Sequence, residues 1–223
     1  MAEAAPDLPP VVVHGAGSVG CYIGAIWMLA GLKVSFYGRR SVADEIAANG
    51  LTVTDSERRR LEIRPDEIDF STSPKALAKG GVIALCVKSH ATEAAAREIA
   101  RHARKGAVVI SFQNGVSNVE RLKAALPGFT VLQGMVPFNV ARMGNGRWHK
   151  GVTGTLWAEH HAVTRALDER IGERPGRLRL SDDMTGVLWG KLLINLNNAV
   201  NALSGRTLLE QLSQRKAELQ QQV

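Results

Sequence analysis

Apolar residues along this chain fall into short unbroken runs separated by amphipathic stretches. The first run, VVVH at 11–14, is β-branched and closed by glycine, which predicts a buried strand. The segment SVGCYIGAIWMLAGL (18–32) is apolar around most of its circumference, so it predicts a helix laid on a sheet, with Gly31 as its stop. KVSFYG (33–38) is a second strand, and SVADEIAANG a short helix from Ser41 to Gly50. LTVTDSERRRLEIRP (51–65) alternates on both sides of a polar tip and predicts a hairpin. Then come a strand GVIALCVK (81–88), a helix ATEAAAREIARHA (91–103) and a strand GAVVISFQNG (106–115) that runs into a turn. NVERLKAAL (118–126) is helical, and TVLQGMV (130–136) is a further strand.

Continuously apolar strands alternating with helices imply a parallel sheet covered on both faces, an α/β doubly wound architecture. From Pro137 to Glu159 the texture changes: stretches on either side of Gly144-Asn145-Gly146 predict a β-meander that finishes the first domain. A helix near 162–172 and a strand RLRL follow, and from Ser181 the chain reads as helical to its end. The expected division is a nucleotide-binding domain over 1–180 and a helical piece over 181–223.

HGAGSVG places Gly15, Gly17 and Gly20 as G-x-G-x-x-G directly between the first strand and its helix. In that context the first glycine allows a tight turn, the second lets a pyrophosphate approach the backbone, and the third brings helix and strand close. Ala16 lies within the turn, and Ser18 and Val19 offer N–H groups at a positive helix end. The sheet is therefore expected to be of Rossmann type. Its second strand ends in Gly38-Arg39-Arg40, where an NAD site usually carries an acid for the ribose 2′-hydroxyl. A guanidinium suits a 2′-phosphate instead, so the expected cofactor is NADP(H), with Arg39 as its contact. Lys88 and Asn114 end two further strands and are expected along the same groove.

The stretch WGKLLINLNN (189–198) sets a lysine and amides into an otherwise apolar helix. At about 100° per residue, Lys191, Asn195 and Asn198 share one face, while Trp189, Leu192, Leu193 and Leu196 point elsewhere and can pack. Such a stripe suits either a cleft that meets a ligand or a solvent-facing side.

GAGSVGCYIGA, YGRR, CVKSHAT, QNGVSN and WGKLLINLNNAVNALSG together resemble the ketopantoate reductase (2-dehydropantoate 2-reductase) family, in family order and over essentially the whole chain. The resemblance implies NADPH-dependent reduction of a 2-keto acid to its alcohol, ketopantoate to pantoate, for pantothenate and hence coenzyme A synthesis. Lys191 matches the family's catalytic lysine, Asn195 its first substrate asparagine, Asn114 the asparagine near nicotinamide and substrate, and Lys88 a lysine of the cofactor groove. A second asparagine is often found eight residues past the lysine; here that position is Ala199, and Asn198 or Asn201 stands in for it. The family normally continues through further helices that supply a serine and a glutamate. The expected architecture is thus the doubly wound domain followed by a truncated helical C-terminal domain, whose Val200, Leu203, Leu208 and Leu209 would be left exposed; three readings of that surface stay open, a fragment, a truncated reading frame, or a chain that pairs there with a second copy of itself. Two alternatives stay open: reduction of another branched 2-keto acid, and an NADP-binding module without turnover.

Composition narrows this little further. A net charge of +7 is spread over separate clusters, and aromatics are only 5%, so no stripe for nucleic acid is expected. No apolar run approaches the roughly 20 residues of a membrane span, and the N-terminus lacks signal-peptide character, so a cytoplasmic protein is expected. Cys21 and Cys86 are expected to be buried free thiols, and no metal site is read.

Overall fold

The computed structural model describes residues 8–204, with side chains as far as residue 196. The chain divides into two compact units, Met1–Met184 and Thr185–Val223. In the first unit the strands are β1 (Val11–His14), β2 (Val34–Tyr37), β3 (Leu51–Asp55), β4 (Arg60–Ile63), β5 (Asp69–Ser71), β6 (Val82–Leu85), β7 (Val108–Ser111), β8 (Thr130–Met135), β9 (Val140–Gly144), β10 (Arg147–Lys150), β11 (Leu156–Glu159) and β12 (Leu178–Ser181). Helices α1 (Ser18–Leu29), α2 (Arg40–Asn49), α3 (Thr92–His102), α4 (Asn118–Ala125) and α5 (Ala162–Ile171) connect them. The second unit is represented by α6, Met184–Ser204.

An eight-stranded sheet runs in the order β5-β2-β1-β6-β7-β8-β11-β12. From β5 to β8 every neighbour is parallel; β11 joins β8 antiparallel, and β12 pairs β11 parallel. The apolar strands are buried on both faces, and this sorts their residues into two cores. Val11 and Val13 belong to the core under α1 and α5, with Ile23, Trp27, Phe36, Leu167 and Ile171. Val12 belongs to the opposite one with Ile83, Val109, and Ala95, Ile99 and Leu122 from α3 and α4. This is the Rossmann-type doubly wound sheet that the hydrophobic pattern implies.

The second sheet differs from expectation. The segment 137–159 does not form one meander. Its hairpin β9–β10 leaves the main sheet, and β10 pairs parallel with β3, giving the order β4-β3-β10-β9. Leu51, Val53, Ile63 and Trp148 from this small sheet join the α1-side core, so apolar burial rather than chain proximity decides the pairing. Strand β5 and the 3-10 turn Pro74–Lys79 also lie where the hydrophobic pattern singles out nothing. Helix α2 starts at Arg40 rather than Ser41.

On α6, Trp189, Leu193 and Leu196 are exposed, not packed as their spacing suggested, and Leu192 is half-buried; Ile194 is exposed as well, and Leu188 is buried. The side chains of Val200 and Leu203, and all of Leu208 and Leu209, lie outside the described residues. Both cysteines are free, Cys21 buried and Cys86 half-buried; burial pushes both thiols up, Cys86 to about 12. Among the described residues no helix is long and apolar enough to cross a membrane.

Candidate functional site

Four adjacent strands end level. His14 of β1 is in register with Tyr37 of β2 and Leu85 of β6, and Leu85 with Ser111 of β7. The loops that follow them, carrying Gly15–Gly20, Arg39, Lys88 and Asn114, therefore open from one carboxyl edge. The chain moves outward from β1 to β2 and then returns to β6 on the other side of β1. That topological switch is where open α/β sheets bind ligands.

The glycine turn is built by contacts that leave no room for side chains at two of its three glycines. Gly15 has φ +96°, and a Cβ there would lie 2.6 Å from the Val87 nitrogen. Gly15 N–H and Ala16 N–H both donate to the Tyr37 carbonyl at 3.0 Å, and Gly17 N–H to the Gly15 carbonyl at 2.7 Å. Gly17 differs: a Cβ there meets nothing nearer than 4.0 Å. It is the N-cap of α1, with no side-chain cap and no acid in the first turn. The leading N–H groups of Ser18 and Val19 thus stand at a positive helix end that the protein's side chains leave uncapped. The Ala16 side chain is buried against Gly38, where a Cβ would come within 2.9 Å of it, so Ala16 offers only its backbone. An open second glycine over an uncapped helix end fits a dinucleotide pyrophosphate.

Arg39 is exposed and makes no ion pair with any described residue, whereas Arg40 donates from Nε to Asp44 Oδ1 at 2.7 Å. The nearby acid Glu45 is turned away, accepting from Gly146 N–H at 2.9 Å and from Arg142. The first arginine after β2 is therefore the one whose fork is available to an anion.

Lys88 and Asn114 sit on loops joined by a polar network that the sequence reading did not anticipate. Gln113 Nε2 donates to Val87 O at 3.1 Å and to Thr92 Oγ1 at 2.9 Å, and Thr92 Oγ1 donates to Ser89 O at 2.7 Å. Ser89 Oγ and Asn118 Nδ2 both donate to the Asn114 carbonyl, at 2.9 and 2.6 Å. Asn118 Nδ2 also reaches Ser89 Oγ at 3.0 Å. Thr92, Gln113 and Asn118 are buried, so each requires its partners. The residues before and after Lys88 are clamped, as is the backbone of Asn114. The available signal was the clustering of hydroxyl and amide residues in KSHAT and QNGVSN, two motifs read only for their loop tips.

The other candidates lie on α6. Lys191 is partly buried, and desolvation holds its ammonium pKa below lysine's usual value. Asn195 follows one turn later and is exposed. Asn198 is on the same helix, and its side chain lies outside the described residues; Asn201 likewise.

The first unit has the fold and loop chemistry of the Rossmann class of dinucleotide-binding domains. Residues 11–162 match the family model "Ketopantoate reductase PanE/ApbA". The chain belongs to that ketopantoate reductase family, whose members are NAD(P)-dependent oxidoreductases. It is 29% identical over 201 residues to the 2-dehydropantoate 2-reductase of Halobacterium salinarum, covering 87% of this chain and 65% of the relative. A more distant likeness, 26% over 214 residues, is to the glycerol-3-phosphate dehydrogenase [NAD(P)+] of Rhizobium etli, covering 90% and 62% of the two chains. Among solved structures, the PanE/ApbA family ketopantoate reductase of Ralstonia eutropha aligns with a TM-score of 0.72 at 28% identity, over 83% of this chain and 61% of the other. The chain thus spans 60–65% of the length of the first curated relatives it matches.

Proposed function

We propose that this chain carries the cofactor domain and the proton donor of an NADPH-dependent reductase that converts ketopantoate to pantoate. The observation that carries the reading is the carboxyl edge of the sheet: an uncapped helix end under an open Gly17, flanked by an arginine that pairs with no acid among the described residues. The first glycines and the α1 N–H groups bind the pyrophosphate, and Arg39 grips the 2′-phosphate with forked hydrogen bonds. Lys88 adds positive charge beside the groove, and Asn114 orients the nicotinamide end and the substrate. NADPH, when bound, supplies the hydride.

Lys191 hydrogen-bonds the keto oxygen and donates the proton as negative charge builds there. A cation at that oxygen stabilises the developing alkoxide, and general acid catalysis is typically worth about 10²–10⁴-fold. Desolvation lowers the cost of giving up that proton. Asn195 and Asn198 hold the substrate's polar groups. On the same reading the 1–180 segment is the cofactor domain, residues from 181 onward begin the substrate domain, the protein works in the cytoplasm, and two copies pair through the exposed apolar residues of α6.

The test is NADPH oxidation followed at 340 nm with ketopantoate and with other branched 2-keto acids, for the wild type and Lys191→Ala. Turnover with ketopantoate that the substitution abolishes supports the proposal. NADPH binding without turnover on any of these acids replaces the reductase with a binding module. Faster turnover on another 2-keto acid reassigns the substrate.

A further inference from the structure

His14 and Tyr37 are the last residues of their strands, and each stands directly before a loop of the cofactor edge: His14 before the glycine turn, Tyr37 before Gly38-Arg39. They are register partners, and their rings stack with centroids 4.9 Å apart at 29°. Strand alternation sends both side chains to the α3 face, the side on which Val12 meets Ile99. There a single carboxylate from α3 meets both: Glu98 Oε2 lies 3.0 Å from His14 Nε2, and Glu98 also takes a hydrogen bond from the Tyr37 hydroxyl.

The chemistry at His14 is unusual for a core position. Its side chain is 5% exposed, and Nδ1 has no hydrogen-bond partner among the described residues. Burial drives its pKa down to about 4 against the pull of Glu98. The imidazole is therefore neutral, donating from Nε2 to the carboxylate and leaving Nδ1 as a bare acceptor. A valine or leucine at the end of β1 would avoid burying that acceptor. What a polar contact adds over an apolar one is fixed direction. The same two residues hold the loops through their backbones. The Tyr37 carbonyl accepts from Gly15 N–H and Ala16 N–H at 3.0 Å, and the His14 carbonyl from Cys86 N–H at 2.7 Å. A tilt of either strand end would thus shift the glycine turn and the Arg39 loop relative to each other.

We propose that Glu98 is a positioning residue that sets cofactor specificity: it ties the ends of β1 and β2 to α3, so that the glycine turn and Arg39 engage one NADPH molecule at the same time. This rests on the reading of the edge as an NADP site. Glu98 meets His14 and Tyr37, the two strand ends, so its effect on the loops passes through them. The phosphate turn alone serves NADH and NADPH equally, whereas the Arg39 contact serves only NADPH. Loosening the tie therefore costs NADPH more.

The experiment is titration of the full chain with NADPH and NADH by nucleotide fluorescence, together with thermal melting, for the wild type, Glu98→Ala, Glu98→Gln and Tyr37→Phe. Glu98→Ala is expected to weaken NADPH by about tenfold, the equivalent of one charged hydrogen bond, and NADH by much less. Glu98→Gln, which keeps one acceptor, restores part of the preference. Tyr37→Phe, which keeps the stacked ring and removes only the hydroxyl, narrows the NADPH-to-NADH ratio even if the alanine variant fails to fold. A lower melting temperature with an unchanged ratio in Glu98→Ala and Tyr37→Phe overturns the proposal and leaves Glu98 a structural residue. A wild type that binds neither coenzyme overturns the cofactor reading itself, and this inference with it.

Discussion

A Cβ placed on Gly20 would stand 2.4 Å from the carbonyl oxygen of Gly15, whereas one on Gly17 would reach nothing closer than 4.0 Å. The two glycines therefore answer to different demands. Gly20→Val forces helix α1 away from the turn and is expected to cost several kcal/mol of stability, about 1–3 for overpacking alone and more for the backbone contact. Gly17→Val is expected to melt within a few degrees of the wild type, yet to bind NADPH at least tenfold more weakly, because the isopropyl group occupies the pyrophosphate's path. Melting curves beside nucleotide titrations separate the two. An unchanged NADPH affinity in folded Gly17→Val removes the loop from the cofactor site.

The two arginines after β2 should differ as well. Arg39→Ala is expected to reduce NADPH affinity by about tenfold or more, as a charged hydrogen-bonded pair is lost, and to leave NADH nearly untouched. Arg40 is exposed and engaged with Asp44, so Arg40→Ala should change either affinity little. Equal affinities of the wild type for NADPH and NADH would refute the 2′-phosphate assignment.

Stability should depend on pH through His14. Its folded pKa is about 4 against 6.5 for an ordinary imidazole. The unfolded chain takes up a proton below about 6.5 and the folded chain only near 4, so stability is full above 6.5 and falls as the pH drops between those values. The loss from this group is up to about 3 kcal/mol. Urea midpoints at pH 7.5, 5.5 and 4.5 should therefore decline less steeply in His14→Gln than in the wild type. Parallel declines would show that the imidazole is already charged in the folded protein.

Turnover should also carry an alkaline limb. On the proposed mechanism Lys191 donates only while protonated, and desolvation holds its pKa below lysine's usual 10.5. The rate is expected to fall as pH rises through that lowered value, and the limb should vanish along with the activity in Lys191→Ala. A rate that stays flat to pH 10.5 would assign the proton to another donor.

Asn118 joins the two loops that carry Lys88 and Asn114. Asn118→Ala removes one of the donors to the Asn114 carbonyl and the donor to Ser89 Oγ, at a cost of about 1–3 kcal/mol for the buried amide's bonds. Weaker NADPH binding should accompany the lower stability. A variant that loses stability but binds as before would limit the network to a structural role.

Much of this was legible in the linear chain because the relevant forces act locally. Three successive valines can be buried on both faces only in a covered sheet, and GAGSVG allows few conformations besides a tight turn into a helix. The positive charge after β2 was readable because the identity of one residue at one strand end decides the sign there, and the structure leaves Arg39 exposed. The pairing of β10 with β3 was not readable, since nothing in RWHK or LTVTD names its partner; both simply carry apolar residues that α1 leaves room for. Thr92, Gln113 and Asn118 were overlooked for a related reason. Polar residues beside a loop motif look solvated until the fold encloses them. Trp189, Leu193 and Leu196 were expected to pack because periodicity reports which side is apolar and not what covers it.

The small sheet has one further consequence. Thr54 and His149 face each other in it while lying 95 residues apart along the chain. Its strands come from the two sides of the nucleotide fold's sequence, so neither half can complete the cover over α1 by itself. Cooperative assembly of the whole first unit is therefore expected, because that long loop must close before the small sheet can form. Bisecting the gene anywhere between residues 64 and 139 should yield two pieces that acquire stable structure only when mixed.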